Sequence, residues 1–211
     1  MHQLERDTVP PTCLAKHRHG THPWSSLTPD ERAEIWAKLN SMQYERCAYC
    51  EADLRKARHI EHFRQRRSYP QGTFEWSNLF GSCNRDDSCG QHKDHCGAYN
   101  HTDLIKPDIE DPEHFLLFAA TGTVHARANL PAAARFKAEE TIRVMNLNGA
   151  LKQIRRTLLF QYLETAETLA SMANEYGDEA TLPFLENELR NTVLLPHATA
   201  IKHLLTRQSL P

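Results

Sequence analysis

Cys47-Ala48-Tyr49-Cys50, then Arg58-His59-Ile60-Glu61-His62-Phe63-Arg64, then Cys83 and Cys89 just ahead of Gly90-Gln91-His92-Lys93 form the stretch on which the reading of this chain turns. Two thiolates separated by two residues suit a tight knuckle that aims both sulfurs at one tetrahedral Zn²⁺ at about 2.3 Å. A second pair on the far side of an intervening segment of roughly 30 residues completes the general form of a four-cysteine structural site. Five residues separate Cys83 from Cys89, more than the usual spacing, so Cys96, His92 or His95 could stand in for Cys89. From Tyr44 to about Lys106 the chain is rich in Cys, His, Arg, Asp and Gly and poor in aliphatic residues. Something other than apolar burial has to hold it, and a metal supplies folding free energy directly.

Outward from this segment, residues 1–25 carry His, Pro and Thr without a period and read as an irregular, flexible arm with Trp24 as its anchor. Thr28-Pro29-Asp30-Glu31 then opens a helix, with a cap hydroxyl, a proline at the first position and a Glu three residues after the cap. Its expected apolar stripe is Ala33, Ile35, Trp36, Leu39 and Met42. After Pro107, Phe115 to Ala120, a Thr121-Gly122 turn and Thr123 to Ala126 read as a β-hairpin. Pro131 opens a helix to about Met145. Asn148 is the expected cap of a long helix to about Tyr176, with Leu151, Ile154, Leu158, Leu159 and Leu163 at helical spacing, and Gly177 ends it. Two shorter helices follow, about Thr181 to Asn191 and Pro196 to Thr206. The expected fold is α+β: an amino-terminal arm and capped helix over 1–43, a zinc-stapled module over 44–106, and a hairpin with a helical domain over 107–211.

The chain has 211 residues, 40% hydrophobic and 25% charged, which excludes a fibrous or low-complexity protein. Lys and Arg total 25 against 27 Asp and Glu, a net charge of −2, so any attraction to nucleic acid must be local. A local basis exists: Arg55, Lys56, Arg58, Arg64, Arg66 and Arg67 surround a single acid, Glu61, with Tyr69 and Trp76 just beyond, a stripe able to neutralise phosphates and stack on bases. Taken singly, these arginines also fit a solvated loop. The charged opening Met-His-Gln-Leu-Glu-Arg-Asp and the short longest apolar run, Phe115 to Ala120, lead us to expect a cytoplasmic protein without membrane contact, its thiols reduced. Cys13 and Cys96 read as ordinary thiols. His95, His101, His114 and His125 read as ordinary histidines, and Asp103, Asp108 and Asp111 as turn residues. His17, His19 and His22 lack the acidic or cysteine support of a metal site, and His59 reads as structural or phosphate-facing.

Read in order between the cysteine pairs, His62, Asn78 and His92 give this segment a form that resembles the HNH, or ββα-metal, nucleases. The resemblance extends over nearly the whole chain. Cys47-Ala48-Tyr49-Cys50-Glu51, Ile60-Glu61-His62-Phe63-Arg64, Glu75 to Cys83, Asp111-Pro112-Glu113-His114-Phe115 and Glu140 to Asn148 are similar to the PtuB family, the HNH component of Septu-type antiphage defence, also found beside retrons. This resemblance implies a metal-dependent endonuclease cutting DNA or a structured RNA such as a tRNA. It also implies a PtuA-type ABC/SMC-like ATPase as partner, with a retron reverse transcriptase and its DNA product as further possible partners. It implies His62 as general base, Glu61 as ligand of a catalytic Mg²⁺ or other divalent ion, and Asn78 as the brace of the loop that aims His62. The position after the last zinc cysteine, usually His or Asn, is here Gly90. His92 is therefore the expected second ligand, with Asn84 and His95 behind it, and Lys93 the expected phosphate contact, alongside Arg58, Arg64, Arg66 and Arg67. The rival reading is a non-catalytic zinc module that binds nucleic acid or docks the ATPase.

Overall fold

The computed structural model describes residues 1–206; the last five residues of the expected helical domain lie outside the described residues. Thr28 and Glu31 form the expected reciprocal cap, Thr28 Oγ1 accepting from Glu31 N at 3.2 Å and Glu31 accepting from Thr28 N at 2.9 Å, and open α1 (Pro29–Gln43). Ile35, Leu39 and Met42 face inward. Ala33, expected in the same stripe, is exposed, and the helix instead buries Gln43, whose amide donates to the Arg46 and Gly81 carbonyls and accepts from Gly81 N at 2.7 Å. That one side chain ties α1 to β2 (Leu79–Cys83), which pairs antiparallel with β1 (Arg58–His62) in a register placing Glu61 opposite Phe80 and His62 opposite Leu79. A short helix, α2 (Cys89–His95), follows β2.

The hairpin is β3 (Leu116–Phe118) and β4 (Val124–Ala126). Gly122 in its turn has φ +82°, and a Cβ there would lie 2.1 Å from the Lys152 carbonyl oxygen, so only glycine lets the turn sit against the next helix. Next come α3 (Ala132–Val144), α4 (Ala150–Phe160), α5 (Leu163–Tyr176), α6 (Asp178–Thr192) and α7 (Ala198–Leu205). The long helix expected from Asn148 is thus two helices, broken at Gln161 and Tyr162 and preceded by Gly149. Asn148 does not cap it. Its amide accepts from Val124 N and donates to Val124 O, both at 2.8 Å, and so fixes β4. No helix among the described residues is long and apolar enough to cross a membrane.

The arm is irregular, yet far better anchored than its composition suggests. Met1, Leu4, Cys13 and Leu14 are buried, and the Arg6 guanidinium lies 4.7 and 4.5 Å from the Trp76 and Phe80 ring centroids while donating to the Trp76 and Leu79 carbonyls. Trp76, expected as a surface for bases, is therefore buried beneath the arm and donates its indole N–H to Asp7 O.

The far end of the chain returns to the cysteine knuckle. Glu51, directly after Cys50, accepts from Thr199 N at 2.9 Å and from the Thr199 hydroxyl, and its own carbonyl accepts from His197 N. Glu113 joins the hairpin to α7 in the same way, 2.9 Å from Lys202 Nζ and 3.1 Å from buried His203. Burial opposes its charge, but those two partners hold its pKa down at about 2. A carboxylate with a depressed folded-state pKa stabilises fully above its unfolded value of about 4.3 and loses that contribution as the pH falls. Glu113→Gln should therefore lower the thermal midpoint at pH 7, and the gap to the parent protein should close between about pH 4.3 and pH 2 in a melting series; a gap independent of pH would contradict this.

Candidate metal centre and active site

The sulfurs of Cys47, Cys50, Cys83 and Cys89 all lie within 4.8 Å of one another, and Cys50 Sγ is 3.8 Å from Cys83 Sγ. Zinc–sulfur bonds of about 2.3 Å place tetrahedral sulfurs about 3.8 Å apart, so the four side chains could hold a structural metal such as zinc. The long gap before Cys89 is absorbed by a loop pinned to the end of α3: Asn146 Nδ2 donates to Asp87 O at 2.7 Å and Cys89 N to Met145 O at 2.9 Å, and Cys89 turns back with φ +55°. Cys96 and His95 stay outside the cluster, bonded to the backbone of α2. Burial raises the Cys89 pKa, and shared hydrogen bonds with Cys47 and Cys83 raise that of Cys50, while the same network holds Cys47 well below the ordinary thiol value.

Arg155 is buried without a carboxylate partner among the described residues and donates to the Gly122 and Leu147 carbonyls. Burial lowers its pKa to about 10, and the negative neighbours supporting its charge are Cys50, Cys89 and Glu51. A four-thiolate zinc would carry a net charge of −2 and so would add to the counter-charge that Glu51 gives this cation.

β1 presents two different environments from adjacent residues, because successive side chains leave a strand on opposite faces. His62 is 6% exposed, beneath Trp24 in an edge-on contact with ring centroids 4.5 Å apart. Its Nε2 is 3.0 Å from Thr73 O. A carbonyl only accepts, so Nε2 carries the hydrogen and Nδ1 is the unprotonated nitrogen. Burial lowers the pKa to about 4, so the ring is neutral at pH 7. The loop between β1 and β2 is braced from inside by Asn78, which accepts from Arg64 N at 2.8 Å and donates to the Arg64 and Gly72 carbonyls at 3.1 Å.

Glu61, on the other face, is 2% exposed. Its Oε2 is 3.2 Å from His59 Nε2, and its Oε1 is 2.8 Å from Lys93 Nζ, an ion pair off the alignment of a good hydrogen bond. Burial alone would raise the Glu61 pKa; the ammonium and imidazole hold it below the ordinary carboxylate value. Lys93, expected on phosphate, is fully buried, bonded to Asp94 at 2.6 Å and to the Tyr99 hydroxyl at 3.3 Å. His92 is not brought onto Glu61: its Nδ1 is 2.9 Å from Val144 O, on the α3 side of α2. Apart from the four cysteines, no group of three or more His, Cys, Asp or Glu side chains converges among the described residues, His17, His19 and His22 included.

Tyr99 borders a cleft of about 440 Å³ also lined by Arg64, Arg67, Tyr69 and His101. Arg64 stacks 3.7 Å from the Tyr69 ring centroid and pairs with Glu75 at 2.9 Å. Arg66 and Arg67 are exposed, whereas Arg58 lies over Trp36 at 4.2 Å and reaches Asn40, and Arg55 pairs with Asp53.

No family model matches this chain. Among curated proteins, it is similar to the Septu protein PtuB of Bacillus thuringiensis, with 27% identity over 158 residues covering 68% of this chain and 55% of that protein. The chain thus spans about half the length of the curated relative it matches.

Proposed function

We propose that this chain is a metal-dependent HNH endonuclease, the effector of an antiphage system working with a PtuA-type ATPase. The observation that carries the reading is the His62 imidazole, whose Nε2 is committed to a backbone carbonyl while Nδ1 keeps a free lone pair, on the strand that also carries a nearly sealed carboxylate. Similarity to a Septu protein and the sequence of two antiparallel strands and a helix around four cysteines support it.

In this mechanism Thr73 O fixes the His62 tautomer, Asn78 holds the loop that presents it, and Nδ1 takes a proton from the attacking water. Glu61, a buried carboxylate beside the His59 imidazole, would hold a divalent ion such as Mg²⁺, which would polarise the scissile phosphate and stabilise the leaving oxyanion. Arg66 and Arg67, with the Arg64–Tyr69 stack at the neighbouring cleft, receive the nucleic-acid backbone. None of these steps needs a 2′-hydroxyl, so DNA and RNA are both chemically acceptable. The zinc is a separate ion, because four thiolates leave it no open position.

His62 packs edge-on against Trp24 and is 6% exposed. The same contact favours a second reading, a non-catalytic zinc module whose Glu61 and His62 support the strand. One experiment separates them. Zinc-loaded protein, alone and with its ATPase, should cut plasmid DNA or tRNA only when Mg²⁺ or Mn²⁺ is supplied; a complex that binds nucleic acid and never cuts it under any divalent ion supports the second reading.

A further inference from the structure

We propose that His59 is the second protein ligand of the catalytic cation, pairing with Glu61 across one face of β1 and replacing the ligand that α2 does not supply. The proposal rests on the nuclease reading and adds to it the composition of its metal site. His59 and Glu61 are two residues apart on a strand, so their side chains share a face. Their facing atoms, Nε2 and Oε2, are 3.2 Å apart. Bonds of about 2.1 Å to one ion span that separation with an angle of about 100°, close to that between neighbouring ligands of an octahedral ion. His59 Nδ1 is buried without a hydrogen-bond partner among the described residues, so the one polar contact of this imidazole is Glu61, whose other oxygen faces Lys93.

Gly90 explains why α2 contributes nothing here. A Cβ at this position would lie 2.3 Å from Glu61 Oε2 and 2.6 Å from its carboxyl carbon, so the helix backbone itself forms the floor under the carboxylate and no side chain fits between them. Residue 92 lies about 200° around the helix from residue 90, and His92 is directed to Val144 O. Lys93 supplies the positive charge beside Glu61 Oε1 and thereby competes with a cation for the same carboxylate. An imidazole–carboxylate pair of this kind should prefer Mn²⁺, Co²⁺ and Ni²⁺ to Ca²⁺.

The test uses the zinc-loaded full chain and Mn²⁺ as probe, with binding followed by the loss of the free-ion electron paramagnetic resonance signal and ¹⁴N modulation read from the bound ion. The parent protein should bind one Mn²⁺ beyond its zinc and show coupling to one imidazole. His59→Ala should weaken binding by about 10–100-fold or more and remove the ¹⁴N coupling, while His92→Ala leaves both unchanged. Lys93→Met should tighten binding. If His59→Ala perturbs the fold, the ¹⁴N spectrum of the parent protein alone decides, because an ion without a nitrogen ligand overturns the proposal. Binding lost in His92→Ala and kept in His59→Ala overturns the proposal and leaves the nuclease reading standing. A parent protein that binds no Mn²⁺ overturns both.

Discussion

Replacing Cys47 with serine releases the bound zinc and unfolds the segment between residues 44 and 106. The four sulfurs are all buried and close together, and the segment that carries them is itself poor in aliphatic residues. Zinc binding in small domains supplies apparent free energies of about 10–16 kcal/mol at neutral pH, more than the entire stability of most domains, and a serine hydroxyl does not replace a thiolate as ligand. The loss should spread, because the Glu51 side chain that follows the knuckle anchors α7 and Arg155 depends on the same cluster for part of its counter-charge. Metal analysis of the purified variant, with circular dichroism on the same sample, checks this. Stoichiometric zinc in the Cys47→Ser protein would contradict the four-thiolate centre.

The second large effect is chemical. His62→Ala should reduce cleavage by about 10²–10⁴-fold, the range expected when a general base is removed, while retaining the parent's zinc content and helical spectrum. Because His62 fills space beneath Trp24, a modest fall in melting temperature should accompany the change, as for other buried truncations. The pH profile provides an independent check. With the imidazole neutral down to about pH 4, cleavage by the parent protein should hold across the range near pH 6.5 where an ordinary histidine titrates and fall only in stronger acid. Undiminished cleavage by His62→Ala would remove this residue from the mechanism.

Local signals in the sequence carried the local structure. The Thr28–Glu31 cap, the Gly122 hairpin turn and the grouping of Cys47, Cys50 and Cys83 follow from spacing, whereas the long gap before Cys89 left Cys96, His92 and His95 as alternatives until the fold brought Cys89 to the other three. Side chains that cross between elements were not legible. Arg6 looked like part of a free arm but spans Trp76 and Phe80, and Arg155 sat unnoticed in a leucine stripe yet is the cation buried near the cysteines. Asn148 had the composition of a cap, and its amide was claimed by β4 instead. At the site, the spacing of His59 and Glu61 placed them on one face, whereas the closeness of α2 that excludes a ligand at position 90 exists only in three dimensions. Lys93 shows the same limit: the family resemblance implied a phosphate contact for the lysine after His92, and its burial beside Glu61 depends on the packing of α2 against the β1–β2 pair.

End-group analysis of the cleavage products tests the central claim most directly. Water activated at His62 and a cation held by Glu61 should leave 5′-phosphate and 3′-hydroxyl ends on every product, formed only when a divalent ion is present. Products ending in 2′,3′-cyclic phosphate, or cleavage that persists in a chelator, would contradict it.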